Sequence, residues 1–208
     1  PGLAEFGSVK IWLSQVQNIL STSFLKSNLY NVLPIAYGDL GTFGTSPLSV
    51  MDDFSGNIHH FDSFPVGSYM IAKNEKGVVD TFIREFRLTV SQIVSMFVSM
   101  DGGKPDWSNV SNYVKQLFDT GQTQAWIEVV HIIKPNDMYD PKKIESKYKK
   151  YYSCYYEKGI SGGTESNYLQ SDDKLLSEKG FDYFPVLCPR WEVTGEDVYG
   201  TSCPGMDA

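Results

Sequence analysis

The chain has few residues suited to covalent chemistry. It holds three cysteines in 208 residues, Cys154, Cys188 and Cys203, and no two stand at Cys-x-x-Cys spacing. Three cannot all pair internally, and reduced, packed thiols are expected in place of a disulfide or zinc site. No Gly-x-Ser-x-Gly elbow and no Gly-x-x-x-x-Gly-Lys-Ser/Thr phosphate loop occurs. No apolar run approaches the roughly 20 residues that span a bilayer, and no basic segment leads into an apolar one as in a secretory leader. No membrane partner is therefore expected. Cationic charge is scarce too: 18 Lys plus Arg face 25 Asp plus Glu, for a net charge of −7. Proteins that grip nucleic acid by releasing counterions are normally basic, so any contact with a duplex should be loose.

What is present argues for a folded protein. Hydrophobic residues make up 41% of the chain, with 13 Tyr and 12 Phe, enough apolar surface to exclude intrinsic disorder. The length fits one large domain or two small ones. The chain begins at Pro1 and stops shortly after Cys203-Pro204-Gly205, and both ends read as cut from something longer.

Periodicity divides the chain into four stretches: a helical entry over 1–45, β-hairpins over 46–88, a helical hairpin over 89–121 and a β-rich segment over 122–208. In the first, Val9, Trp12, Leu13, Val16, Ile19 and Leu20 form a helical stripe expected to be a packing face, with Ser8 as its N-cap. A second short helix is expected to end before Pro34. In the second, Ser55-Gly56-Asn57 and Asn74-Glu75-Lys76-Gly77 read as hairpin turns. The latter joins a strand with Tyr69 and Ile71 on one face to a strand presenting Val79, Thr81 and Ile83. Thr89-Val90-Ser91-Gln92 is a capping box. It opens a helix over Val90, Ile93, Val94 and Phe97, and Asp106 is expected to cap the next, over Trp107, Val110, Val114, Leu117 and Phe118. Ala125 to Ile133 reads as a central strand, and the tyrosine- and lysine-rich run from Lys147 to Glu157 as an edge strand. Tyr168-Leu169-Gln170 is expected to pair again, and Phe181 to Val193 is a last extended run. The fold class is α+β, with antiparallel or mixed sheets and a few amphipathic helices packed on them.

No constellation argues for catalysis. His59-His60 with Asp52, Asp53 and Asp62 is the nearest to a metal cluster, yet neighbouring strand residues point to opposite faces. His131 lies in an apolar strand and reads as a core residue. The pairs Asp172-Asp173 and Glu196-Asp197 are adjacent, not spaced to share a scissile bond. No catalytic residue, metal or cofactor is assigned. Lys147, Lys149 and Lys150 stand among tyrosines and suit weak contact with nucleic acid by charge and stacking. Two rivals are a β-rich module binding carbohydrate on its tyrosines, and a hydrolase using Asp52, Asp53 and the histidines.

The most specific stretch is Pro185-Val186-Leu187-Cys188-Pro189-Arg190-Trp191 followed by Gly195-Glu196-Asp197-Val198-Tyr199-Gly200-Thr201-Ser202. It resembles a region of the portal proteins, the head-to-tail connecting proteins of short-tailed bacteriophages and related prophages. Leu29-Tyr30-Asn31, Gly41-Thr42-Phe43-Gly44-Thr45, Gly67 to Ala72 and Arg84 to Thr89 resemble the same family in consistent order. The resemblance implies a fragment, wing-like in position, of a structural portal subunit. It implies a full-length homo-dodecamer at the capsid vertex of the virion, assembled in the host bacterial cytoplasm. Double-stranded DNA is packaged and ejected through such a ring, which docks terminase, capsid or scaffold, and tail adaptor proteins. An isolated fragment would be monomeric or weakly associated. Arg190, Trp191, Glu196, Tyr199, Gly200 and Pro204 are the expected assembly motif. Arg190 and Glu196 are expected to pin a turn by charge, with Trp191 and Tyr199 burying area beside it.

Overall fold

In the computed structural model, which describes residue 2 and residues 6–53, 58–158 and 174–206, the chain leaves one unit after Val66 and returns to it at Pro185. Unit 1 is 1–66 with 185–208, and unit 2 is 67–184. In chain order the elements are α1 (Gly7–Lys26), α2 (Leu29–Phe43), β1 (Leu48–Asp52), β2 (His59–Ser63), β3 (Tyr69–Lys73), β4 (Val79–Thr89), α3 (Val90–Phe97), β5 (Ser99–Asp101), β6 (Lys104–Asp106), α4 (Asn112–Asp119), β7 (Trp126–Pro135), β8 (Tyr151–Glu157), β9 (Lys174–Phe181) and β10 (Val186–Leu187). Every strand pairing is antiparallel among the described residues, and the α+β class holds.

In unit 1 the first helix departs from expectation twice. It starts at Gly7, with Phe6 at the N-cap and no side-chain cap, so Ser8 sits inside the first turn. Its stripe is not a packing face, because Trp12, Leu13, Ile19 and Leu20 are 60%, 43%, 65% and 47% exposed. Burial comes only at the last turns, where Ser23 is buried and Phe24 meets Phe61 edge-on at 6.4 Å. Nor does the second helix stop at Pro34. It runs on to Phe43, with Val32 and Ala36 buried on either side of the proline. The missing N–H removes one helical bond, to the Tyr30 carbonyl on the exposed side. Gly44 ends the helix in the left-handed conformation (φ 74°), its N–H donating to the Leu40 carbonyl at 3.0 Å. Val32, Leu48 and Phe61 form the core beneath, and strand order is β10-β1-β2. Asn28 docks α2 on this sheet. Its Nδ2 donates to the Phe61 carbonyl at 2.7 Å, and its Oδ1 accepts from the Phe61 N–H at 2.8 Å.

Unit 2 is a five-stranded sheet, order β3-β4-β7-β8-β9, with α3 and α4 contributing to the core on one face. Val90, Ile93, Val114, Ile127, Val129 and Leu176 form that core. The capping box is present as read: Gln92 N–H donates to Thr89 Oγ1 at 3.3 Å, and Thr89 N–H to Gln92 Oε1 at 2.8 Å. Thr89→Ala removes the hydroxyl half of this reciprocal pair and leaves the bond from the residue 89 N–H to Gln92 in place, and we expect a loss of about 1 kcal/mol of stability by urea unfolding.

Four local expectations are corrected. Ser111, not Asp106, caps α4, its Oγ accepting from the Val114 N–H at 3.1 Å. Asp106 instead accepts from the Ser108 N–H at 2.9 Å, and the connection from α3 is a β5–β6 ladder, not a helical hairpin loop. A register shift between Ala72 and Lys73 changes the facing of β4, so Phe82 is fully buried and Thr81 and Ile83 are only partly so. β8 is interior, paired with β7 on one side and β9 on the other, so its tyrosines do not mark an edge. β7 is central, as its near-continuous apolar run suggests. The turn at Ser55-Gly56-Asn57, Tyr168-Leu169-Gln170 and Asp172-Asp173 lie outside the described residues.

Candidate assembly site

The C-terminal motif and the Gly41–Thr45 stretch, far apart in sequence, meet in unit 1. The helix end at Gly44 frees its carbonyl, which accepts the Trp191 N–H at 2.8 Å. The next residue turns its hydroxyl inward: Thr45, 2% exposed, accepts the Gly200 N–H on Oγ1 at 2.7 Å. Thr45 and Arg190 also form an isolated antiparallel bridge, and the Ser46 N–H donates to the Pro189 carbonyl at 3.3 Å. One turn further on, the Gly205 N–H donates to the Gly41 carbonyl at 2.9 Å, and Cys203 Sγ lies 3.4 Å from the Thr42 carbonyl. Residues 189–205 thus wrap the last turn of α2 by main-chain contacts.

That closeness explains the glycines. A β-carbon on Gly44 would stand 2.5 Å from the Gly200 carbonyl oxygen, and one on Gly200 would overlap the Gly44 carbonyl. One on Gly205 would stand 2.5 Å from the Thr42 carbonyl oxygen. Backbone lies against backbone, leaving no flexible side chain to move aside.

The motif's other residues fall around this clasp. Arg190 is half-buried and donates from Nη1 to the Val198 carbonyl at 3.2 Å, across the turn. Glu196 is exposed and has no ion pair among the described residues, so the guanidinium secures this turn through backbone and not through Glu196. The turn is closed by Thr194, whose Oγ1 donates to Asp197 Oδ2 at 3.0 Å. Trp191 and Tyr199 are 50% and 42% exposed, which leaves much of the area expected to be buried in contact with water. Pro204 is exposed between the buried Cys203 and Gly205. Burial pushes the Cys188 thiol up to about 12, with Arg190 opposing the shift, so the thiol stays protonated.

The remaining candidates are dispersed. His60 Nε2 lies 3.2 Å from Asp62 Oδ1, while His59 faces Phe61 at 6.4 Å. Among the described residues no group of three or more His, Cys, Asp or Glu is placed to hold a metal ion. His131 is buried, its Nε2 3.0 Å from Ser153 Oγ and its ring stacked on Tyr155 at 3.9 Å. Tyr155 also meets Phe97 at 5.5 Å, so this tyrosine lies among packed rings and is no open stacking platform for a sugar. Lys147 pairs with Glu145 at 3.0 Å and Lys149 with Asp182 at 2.7 Å, while Lys150 lies over the Tyr151 ring at 5.6 Å. No helix among the described residues is long and apolar enough to cross a membrane.

A family model described as bacteriophage head to tail connecting protein matches residues 1–208. The portal protein of Salmonella phage epsilon15 is 48% identical over 206 residues, covering 99% of this chain and 34% of that protein. A probable portal protein of Bordetella phage BPP-1 is 37% identical over 208 residues, covering 100% of this chain and 34% of that protein. The chain therefore spans about a third of the length of these relatives.

Proposed function

Since the chain belongs to the bacteriophage head to tail connecting protein family, we propose that it is the wing-like part of a portal subunit and that its role is architectural. In this reading the complete subunit forms a homo-dodecameric ring at the portal vertex of the virion, assembled in the host cytoplasm. Double-stranded DNA passes through the ring, with terminase, capsid or scaffold, and tail adaptor proteins as its neighbours. The glycine clasp carries the reading. The two stretches that resemble the family most specifically are joined there by bonds from the main-chain N–H groups of Trp191 and Gly205 to the Gly44 and Gly41 carbonyls, and from that of Gly200 to the Thr45 hydroxyl. Such contacts fix the path of a chain and offer nothing for bond-making. The net charge of −7 supports a conduit, because a duplex that must slide cannot be held at every phosphate. The reading assigns no catalytic residue: burial holds the His131 pKa down and pushes the Cys188 thiol up, away from the values suited to a base or a nucleophile. Electron microscopy of the complete subunit containing this sequence should show a perforated ring. Particles without rotational symmetry or a central opening would refute the reading.

A further inference from the structure

The connection between β7 and β8, residues 136–150, is held in one shape by its own polar groups. Asn136 Nδ2 donates to the Lys147 and Lys149 carbonyls at 2.8 and 2.7 Å, and its Oδ1 accepts from the Met138 N–H at 3.0 Å. The Asp140 N–H donates to the Tyr148 carbonyl at 3.1 Å, and the Gly180 N–H of β9 to Ser146 Oγ at 2.8 Å. On this fixed frame three large apolar side chains face outward: Met138 and Tyr139 are half-exposed, and Ile144 is 91% exposed. A loop ordered in advance, with an apolar tip, loses little further freedom when it binds. It is also cationic. Five lysines and three carboxylates lie within residues 136–150, so the remainder of a chain of net charge −7 carries −9.

The turn of the clasp has the opposite character. From Trp191 to Tyr199 it contains Glu192, Glu196 and Asp197 and no lysine or arginine, and Trp191, Val193 and Tyr199 are each about two-fifths to one-half exposed. We propose that these two surfaces are partners between copies of the chain, the 136–150 loop of one copy docking on the 191–199 turn of a second. Opposite charge surrounds unburied apolar side chains on both, the arrangement in which polar complementarity selects the partner and apolar burial holds it. Because the two patches differ, the contact is head-to-tail, the kind that generates a ring when the rotation closes. Duplex DNA fits the loop less well. A phosphate backbone offers Met138, Tyr139 and Ile144 no apolar counterpart, which the 191–199 turn does.

The contact would serve the ring of the preceding section and rests on that reading for its setting. Its test uses the 208-residue chain alone, so contact and ring fail separately. Sedimentation velocity at low salt should show self-association that salt reverses. Lys142→Glu with Lys143→Glu gives an acidic loop beside an acidic turn, and Glu192→Lys with Glu196→Lys gives a basic loop beside a basic turn. Each double variant alone should be monomeric, and a mixture of the two should associate again. The four side chains are exposed, so melting curves should match the wild type. A wild-type chain that stays monomeric at low salt, variants that associate as it does, or a mixture that stays monomeric would each overturn the proposal.

Discussion

Gly200→Ala is expected to unfold the clasp and to lower the stability of unit 1 by about 3 kcal/mol or more. An added methyl would meet the Gly44 carbonyl on one side and the Trp191 nitrogen, 2.8 Å away, on the other. Overpacking against side chains costs about 1–3 kcal/mol because side chains can change rotamer. Here both neighbours are backbone, fixed by the bonds from Gly200 to Thr45 and from Trp191 to Gly44. Separating them also breaks the bond from the Gly200 N–H to the buried Thr45 hydroxyl, worth about a further 1 kcal/mol. Hydrogen exchange should show the change as faster exchange at Thr45–Val50 and Trp191, with the amides of β4 and β7 in unit 2 unaffected. Gly38→Ala is the control. It lies inside α2 with open space around its α-carbon and should stabilise the helix by up to about 1 kcal/mol. Were Gly200→Ala as harmless as Gly38→Ala, the clasp would not be what closes unit 1.

The second large effect is a dependence of stability on pH through His131. Burial holds its pKa down, from the ordinary 6.5 to about 3, and Arg84, opposite it in register on β4, adds to the shift. The folded chain keeps the ring neutral while the unfolded chain protonates it near pH 6.5. Stability is therefore complete above that pH and declines as pH falls towards about 3, at about 1.4 kcal/mol per unit. At pH 4.5 the deficit from this one ring should be about 2–3 kcal/mol. His131→Phe keeps the stack on Tyr155 and removes the titration. It should be less stable than wild type at pH 7.5, where the bond to Ser153 is missed, and should lose less on acidification. Urea unfolding at pH 7.5 and 4.5 gives both differences, and equal losses in the two proteins would refute the assignment.

What the sequence revealed followed the range of the forces involved. The capping box at Thr89 and Gln92 and the strand pair around Asn74–Gly77 depend on residues a few positions apart, and both form as read. The interior of β7 shows in its apolar run because burial on both faces removes the need for alternation. The failures come from longer range. Helix α2 passes Pro34 because tertiary burial of Val32 and Ala36 outweighs one lost bond. The facing of β4 follows a register shift that no alternation reveals, and β9 leaves little trace in the sequence because Lys174–Gly180 lacks a strong strand pattern. The stripe on α1 is apolar, as its spacing predicts, yet exposed, since periodicity reports a face and not what covers it. In the clasp, the glycines were visible in both motif stretches, but Thr45 and Gly200 are 155 positions apart, and main-chain proximity leaves no complementary side-chain pattern to read.

The return of the chain to unit 1 at Pro185 sets an order of events during synthesis. The helices and first hairpin of that unit leave the ribosome before β10 and the wrapping segment that complete them. The 118 residues of unit 2 are made in between, a delay of roughly 6–24 seconds at about 5–20 residues per second. Unit 2 is encoded without interruption and has every described strand of its sheet in hand once Phe181 emerges. The newborn polypeptide should therefore mature from its middle outward, holding its first helices open until the last glycines arrive.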